Sequence, residues 1–391
     1  MVKEKDALTG VISAYGYVNG NAVYAFSQDK SLNSGAVGAA QADKIAKLYE
    51  LAAKTGTPIV GIHDSNGAFM DGTAASLAAY GKMLGASSVI SGVVPQISVI
   101  AGTCAGTAAM LACSSDFVIM TKESEFFMAP NSSSGSAEAA AKSGIASAVC
   151  DDDKAAIEKA RDLVNILPVN NLAPVPMFEF AENSPVSGTD LKSIINSAAD
   201  ADSEIEISAE FGNASYTGFV TIGGATAGIA AAGKEGSKLN SDDCAKLARF
   251  MRTCDAFSIP VVTFVNSEGF EDADAVSSIK AMTTLANSYS EATTVKIAVV
   301  TGKAVGPVFA AVAGNSSNSD FTYAYPDAVI APVSSAAAVE FMWHDKLKGT
   351  DNLESARNEL ISEYEKNNKS TSPAVNRVLN ETEKKITEII K

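Results

Sequence analysis

Apolar positions along the chain fall into two alternating kinds of run. Short, nearly continuous apolar stretches occupy residues 59–62, 97–101, 261–265 and 297–301, and each leads into a glycine turn. Between them, apolar residues recur at helical spacing: Ile45, Leu48, Leu51 and Ala52 early on, then Cys244, Leu247, Ala248 and Met251, behind a candidate cap at Ser241 and acids at Asp242 and Asp243. Residues 10–26 and 216–231 read as β-rich openings. Strands this apolar, alternating with amphipathic helices, predict an α/β fold whose sheets are buried on both faces. After Trp343 the pattern turns charged. There, residues 353–365 and 375–390 predict exposed or partner-packing helices separated by Ser372-Pro373.

The pattern repeats. Pro58, Ser65 and Gly67 match Pro260, Ser267 and Gly269 at an offset of 202. Gly102 and Gly106 match Gly302 and Gly306 at 200, Ser115-Asp116-Phe117 matches Ser319-Asp320-Phe321 at 204, and Gly16-Tyr17-Val18 matches Gly218-Phe219-Val220 at 202. Ordered blocks at nearly one offset predict a duplicated domain. The expected divisions are 1–167, a connecting segment 168–203 punctuated by Pro168, Pro174, Pro176 and Pro185, a second domain 204–345, and a helical tail 346–391. Residues 131–136 form a Ser/Gly-rich loop.

Composition narrows the function. The chain has 391 residues, 47% of them hydrophobic, enough for a sizeable core. Thirty Lys plus Arg against 45 Asp plus Glu give a net charge of −15. That balance disfavours nucleic acid and anionic lipid as partners. Two histidines, His63 and His344, far apart in sequence, and five cysteines without a CxxC pair provide no metal set and no disulfide framework. The opening residues have no apolar signal core, so the expected compartment is the cytoplasm. The 33 uncharged residues Met83–Ser115 could span a bilayer by length, but Pro95, Gln96, serines and glycines within them predict a strand, turn and helix instead.

Candidate chemistry lies in the turns. Gly102-Thr-Cys-Ala-Gly-Thr and Gly302-Lys-Ala-Val-Gly-Pro each follow a buried strand and open an alanine-rich helix. Amides at such a start can bind an anion or form an oxyanion hole. Small residues there equally serve tight helix–sheet packing, and both readings are open. Asp64-Ser-Asn-Gly is a second strand-end turn, readable as a ligand contact or as a local Asx or Ser turn. His63 and Ser65 are a poor nucleophilic pair. Phosphate-loop and dinucleotide fingerprints are absent from the sequence.

At these residues the chain resembles the carboxyltransferase subunits of biotin-dependent acyl-CoA carboxylases and sodium-pumping acyl-CoA decarboxylases. The matching stretches are His63-Asp-Ser-Asn-Gly-Ala, Ser91-Gly-Val-Val-Pro-Gln-Ile-Ser-Val-Ile-Ala-Gly-Thr-Cys-Ala-Gly, Asp116-Phe-Val-Ile-Met, Leu167-Pro-Val-Asn-Asn, Arg249-Phe-Met-Arg-Thr-Cys-Asp-Ala-Phe-Ser-Ile-Pro, Ser290-Glu-Ala-Thr and Lys303-Ala-Val-Gly. The resemblance implies two tandem crotonase-like (ClpP/crotonase) domains. It places an acyl-CoA thioester on the first and biotin, borne by a separate carrier protein, on the second domain of a neighbouring subunit. Transfer would pass through enolates stabilised by main-chain amides, without a metal. The implied partners are acyl-CoA, the carrier, other carboxylase or decarboxylase subunits, and further copies of the chain, as a dimer or its multiples.

Carried over residue by residue, the first oxyanion pair falls on Gly106 and Thr107, with Ser65, Asn66, Gly67, Ala68, Cys104 and Ala105 around the substrate. On the biotin side the family's turn falls on Gly306, Pro307 and Val308, with Gly269, Phe270 and Val305 beside it. Where the family has Gly-Ala, Pro307-Val308 removes one N–H. The family's arginine after the first turn is Phe69, and the loops around 130–142 and after Phe270 are short. These departures leave two alternatives beside an active carboxyltransferase: a non-catalytic paralogue, or a biotin-free crotonase-like acyl-CoA enzyme.

Overall fold

The computed structural model describes residues 9–129, 135–183, 190–271, 275–315, 317–348, 350–369 and 374–379. The chain divides into two compact units. The first runs to Pro176 and takes in Ser208–Phe211; the second holds Met177–Ile207 and the chain from Gly212. The expected connecting segment is therefore divided between the two. The reason is local packing: the helix Leu191–Ala198 buries Ile194 and Ile195 in the second unit's core. Pro185, residues 131–134, Ser372-Pro373 and 272–274 lie outside the described residues.

In the first unit the elements are β1 (Val11–Val18), β2 (Asn21–Gln28), α1 (Ala39–Thr55), β3 (Ile59–Ser65), α2 (Thr73–Val89), β4 (Gln96–Ala105), α3 (Thr107–Cys113), β5 (Phe117–Thr121), β6 (Glu125–Phe127), α4 (Ala137–Lys142), β7 (Ala148–Cys150) and α5 (Asp153–Ile166). The sheet order is β1-β2-β3-β4-β5-β7, with β6 beside the end of β4. Among the described strand pairs of this sheet, β1–β2 is antiparallel and the others are parallel. The uncharged run from Met83 becomes the end of α2, then β4 and α3. No described helix is long and apolar enough to cross a membrane. Helix α1 buries Ile45, Leu48 and Ala52 as its spacing predicts, and ends on Gly56 in the left-handed conformation (φ 63°), whose carbonyl accepts Asn170 Nδ2 at 2.9 Å.

The second unit contains α6 (Leu191–Ala198), β8 (Ile205–Glu206), β9 (Ser215–Ile222), β10 (Ala225–Gly236), α7 (Ser241–Ala256), β11 (Val261–Ser267), α8 (Ala275–Glu291), β12 (Lys296–Val305), α9 (Pro307–Val312), β13 (Phe321–Ala324), β14 (Val329–Ala331), α10 (Ser335–Met342), α11 (His344–Leu347), α12 (Leu353–Asn367) and β15 (Arg377–Val378). Its sheet order, β15-β13-β12-β11-β10-β9-β8 with β14 beside β12, repeats the first sheet strand for strand from β9 to β14. Two expectations are corrected here. The cap of α7 is Asn240, not Ser241: its Oδ1 accepts the N–H groups of Asp242 and Asp243, and Asp243 reaches back to the Asn240 N–H. The helix expected over 375–390 is absent from its described part, where Arg377 and Val378 pair with β13.

The duplication extends to individual hydrogen bonds. Asp116 accepts the Gln96 N–H at 2.8 Å and donates its own N–H to the Gln96 carbonyl at 3.0 Å. Asp320 does the same with Lys296 at 2.7 and 2.9 Å. The repeated Ser-Asp-Phe block is thus a clamp that starts β5 and β13 in register beside β4 and β12.

Candidate functional site

In the first unit, β3 and β4 slip register between His63 and Ser65, so Ser65 pairs with Cys104. The slip turns Asp64 across the sheet end, where its Oδ1 accepts the Thr103 N–H at 3.0 Å and sits where a Cβ on Gly102 would be, at 2.4 Å. Gly102 is therefore required by Asp64. Lys30 lies 3.2 Å from Asp64 and donates to Thr103 Oγ1 at 3.2 Å. Ser65 Oγ accepts the Gly67 N–H at 3.1 Å, and the Gly67 carbonyl accepts the Val37 N–H at 2.9 Å. A Cβ on Gly67 would lie 2.8 Å from the Ala105 carbonyl. The Ser65–Gly67 turn is thus held directly against the β4–α3 turn.

At that turn Gly106 has φ 60° and ψ −126°, a conformation that a side chain disfavours. Its N–H donates to the Phe127 carbonyl at 2.9 Å. Gly106 therefore shapes the turn, and its N–H is engaged by the neighbouring strand. The Thr107 N–H opens α3 with no acceptor among the described residues. Thr107 is half-exposed. Cys104 and Ser65 are fully buried, and burial pushes the Cys104 thiol up. Both side chains are packed inside the turn. Ala105 is buried, Ala68 half-buried and Asn66 exposed. His63 is buried, its pKa pulled down to about 4 by desolvation, and its Nε2 lies 3.1 Å from Ser98 Oγ rather than meeting Ser65.

The second unit builds the same turn from different side chains. Asn266 replaces Asp64: its Oδ1 accepts the Lys303 N–H at 3.0 Å and lies 2.3 Å from where a Cβ on Gly302 would be. Ser267 Oγ accepts the Gly269 N–H at 3.2 Å, and a bridge from Leu239 to Phe270 closes the loop. Gly306 has φ 57° and ψ −127°, and its N–H donates to the Ala331 carbonyl at 2.8 Å. Pro307 opens α9 without an N–H. Val305 and Val308 have buried side chains, and the Val308 N–H has no acceptor among the described residues. The turn can therefore offer one amide at its first two helical positions, where the first unit offers Thr107 and the following residue.

Beside this second turn is a cleft of about 840 Å³ whose lining includes Lys234, Asn266, Glu268, Lys303, Glu365 and Lys369. Lys303 Nζ is 2.7 Å from Glu268 and 3.2 Å from Glu365. Partial burial pulls the Lys303 pKa down, but the two carboxylates outweigh it and the net value lies above the ordinary lysine range. Sequence reasoning missed these carboxylates because Glu365 belongs to the tail. The Asp64/Asn266 pair was legible, since the two residues stand at the offset of 202. Among the described residues no cluster of His, Cys, Asp and Glu could hold a metal ion.

Comparisons with known proteins place the chain in a family. The model of the carboxyl transferase domain matches residues 2–385. The propionyl-CoA carboxylase beta chain of Roseobacter denitrificans is 33% identical over 380 residues, covering 88% of this chain and 74% of that one. The methylmalonyl-CoA decarboxylase subunit alpha of Propionigenium modestum is 32% identical, covering 90% and 75%. A crystal structure of transcarboxylase 12S, a hexamer assembly with methylmalonyl-coenzyme A and methylmalonic acid bound, superposes with a TM-score of 0.89 at 30% identity, covering 97% of this chain and 80% of that one. Both units are crotonase-like, and the chain belongs to the carboxyl transferase domain family, the enzymes that move carboxyl groups to and from acyl-CoA in biotin-dependent carboxylases and decarboxylases.

Proposed function

We propose that the chain moves a carboxyl group between a short acyl-CoA and biotin borne on a separate carrier protein, with the acyl-CoA on the first unit and biotin on the second. The observation that carries this reading is the pair of matched turns after β4 and β12, each with its glycine N–H committed to the neighbouring strand and an unclaimed amide just beyond. When the carboxyl group leaves the acyl α-carbon, the electron pair of the broken C–C bond delocalises into the thioester, and the Thr107 N–H stabilises the oxygen that gains the charge. Gly106 holds that amide outward, while Asp64 and Ser65 fix the two strand ends that aim it. Biotin supplies the nitrogen that takes or gives the carboxyl group. When bound, biotin would find in Val308 a single main-chain N–H for its carbonyl, Pro307 having none.

In this reading the carrier is a separate chain, since these 391 residues themselves contain no Met-Lys-Met motif on which biotin could be borne. Two copies meet around the site, an arrangement supported by exposed apolar residues at matched positions, Leu77 on α2 and Ile279 on α8. All five cysteines are free, which suits a reducing compartment such as the cytoplasm.

The test is carboxyl exchange between malonyl- or methylmalonyl-CoA and biotin. Turnover above the uncatalysed background is expected. Its absence with every short acyl-CoA, where a transcarboxylase 12S control works, would overturn the proposal. The missing donor at Pro307 favours one rival, a non-catalytic assembly subunit, and that outcome would support it.

A further inference from the structure

Strand register makes Lys234 the counterpart of Lys30. Tyr24 on β2 pairs with Ile59 on β3, as Gly228 on β10 pairs with Val261 on β11. These matched pairs set β2 and β10 at an offset of 204, which carries residue 30 onto residue 234. In the first unit the Lys30 ammonium meets two acceptors, Asp64 at 3.2 Å and Thr103 Oγ1 at 3.2 Å. In the second, Asn266 stands at the position of Asp64 and Lys303 at that of Thr103. Asn266 Oδ1 is taken by the Lys303 N–H at 3.0 Å, which leaves its Nδ2 group without an acceptor among the described residues. Lys303 offers no acceptor at all. Among the described residues the Lys234 ammonium has no hydrogen-bond or ion-pair partner.

The backbone nevertheless fixes where Lys234 stands. Between Ala232–Val265 and Gly236–Ser267 the β10 ladder slips, so three residues of β10 oppose Asn266 alone. A bulge of this kind re-aims a side chain beside a site. Gly233 is left-handed (φ 90°), and a Cβ there would lie 2.1 Å from the Asn266 carbonyl oxygen. The Lys234 N–H donates to Ser237 Oγ at 3.0 Å, and its carbonyl accepts the Ser237 N–H at 3.0 Å. The main chain is thus tied on both sides while the ammonium is not. Lys234 and Asn266 both line the cleft beside the second turn. The other lysines of that cleft are paired, Lys303 with Glu268 and Glu365, and Lys369 with Asp327 at 2.8 Å. Glu235, the remaining acid, is exposed. The unbalanced charge reaches the buried Lys246, whose pKa desolvation pulls down to about 8 with repulsion from Lys234 adding to the effect.

We propose that Lys234 and Asn266 Nδ2 bind a carboxylate, the one carried on the ureido nitrogen of carboxybiotin. The assignment to biotin rests on reading the second unit as the biotin side; the assignment to an anion rests on the residues themselves. An ammonium and an amide N–H match the two oxygens of one carboxylate. Four carboxylates among the lining residues, against three lysines, disfavour a phosphate dianion and admit a single localised charge. The ligand supplies to Lys234 the counter-ion that Asp64 supplies to Lys30 in the first unit. Carboxylated biotin is stabilised by this contact and uncarboxylated biotin is not.

Isothermal titration of the full chain compares two probes: biotin methyl ester bearing a carboxymethyl group on its ureido nitrogen, and the neutral amide of that group. The wild type is expected to bind the acid about tenfold more tightly than the amide. Lys234→Met is expected to abolish that preference and Lys234→Arg to keep it, with Tm unchanged in both. Asn266→Asp keeps an oxygen for the Lys303 N–H and restores an internal counter-ion, so it is expected to abolish the preference as well. Equal affinity of the wild type for the two probes, a preference that survives Lys234→Met, or inorganic phosphate competing as strongly as the acid would each overturn the proposal. In those cases binding of the amide leaves the biotin reading standing. If neither probe binds, both fall together.

Discussion

The turn after β4 and the turn after β12 have the same backbone and different chemistry. Gly106 and Gly306 share φ and ψ to within a few degrees, and each commits its N–H to the carbonyl of a neighbouring strand. The next residue is Thr107 in one and Pro307 in the other. Proline fits the first helical position because no intrahelical partner is lost there. The fold therefore does not register the substitution, while an oxyanion site loses a donor. Duplication kept the scaffold and let the two donor sets diverge. Under the proposed two-site reaction, with acyl-CoA on the first unit, more of the charge stabilisation would fall on that side.

Exchanging the two residues breaks the comparison most severely. Thr107→Pro is tolerated by the backbone, since Gly306-Pro307 already has that geometry, but it deletes the amide. Exchange activity is expected to fall about a hundredfold or more, equivalent to ~3 kcal/mol, with Tm little changed. Thr107→Ala keeps the N–H and should leave most of the activity. The reciprocal Pro307→Gly adds a donor, and a rise of up to about a hundredfold in transfer to biotin is expected. No rise would mean that Val308 alone suffices and that donor number at the second turn is not limiting.

A further contrast lies beneath the first turn. His63, Ser98 and Ser115 form a buried polar string, with Nε2 to Ser98 Oγ at 3.1 Å and Ser98 Oγ to Ser115 Oγ at 2.8 Å. The second unit has Val265 at the position of His63. Burial holds the folded-state pKa of His63 at about 4, below its ordinary 6.5. The unfolded chain then binds the proton more readily. The stability from keeping His63 neutral is present above pH ~6.5 and is lost as the pH falls toward 4, in all about 3 kcal/mol. Urea unfolding across pH 7 to 4 should show that slope, and His63→Gln should flatten it.

Smaller effects belong to the strand-end clamps. Gly102→Ala drives a Cβ into the Asp64 carboxylate and should cost about 1–3 kcal/mol of stability, and Gly302→Ala against Asn266 should match it. Asp64→Asn copies the second unit and keeps an oxygen for the Thr103 N–H. It gives up only the surface pair with Lys30, worth up to about 1 kcal/mol. Thermal unfolding checks all three.

The sequence made the duplicated α/β architecture legible because the apolar strands and the glycines recur at a near-constant offset. It also located both turns. It could not reveal that Gly106 is spent on Phe127, because that bond joins residues 21 apart through a strand pairing no local pattern encodes. Cys104 illustrates the same limit: its place in the motif suggested contact with substrate, and the paired strand buries it. At α7 the cap shifted from Ser241 to Asn240 because Asp243 completes a reciprocal pair with the residue three before it. Residues 377–378 became a strand rather than a helix because β13 offered an open edge.

The central claim is that the Thr107 amide carries the charge on the acyl-CoA side. A crystal structure with a non-hydrolysable carboxyacyl-CoA analogue measures this directly. The account predicts the thioester oxygen at about 2.7–3.1 Å from the Thr107 nitrogen, with the Gly106 N–H still on Phe127. A thioester bound elsewhere, or held by side chains with the Thr107 amide turned away, would contradict it.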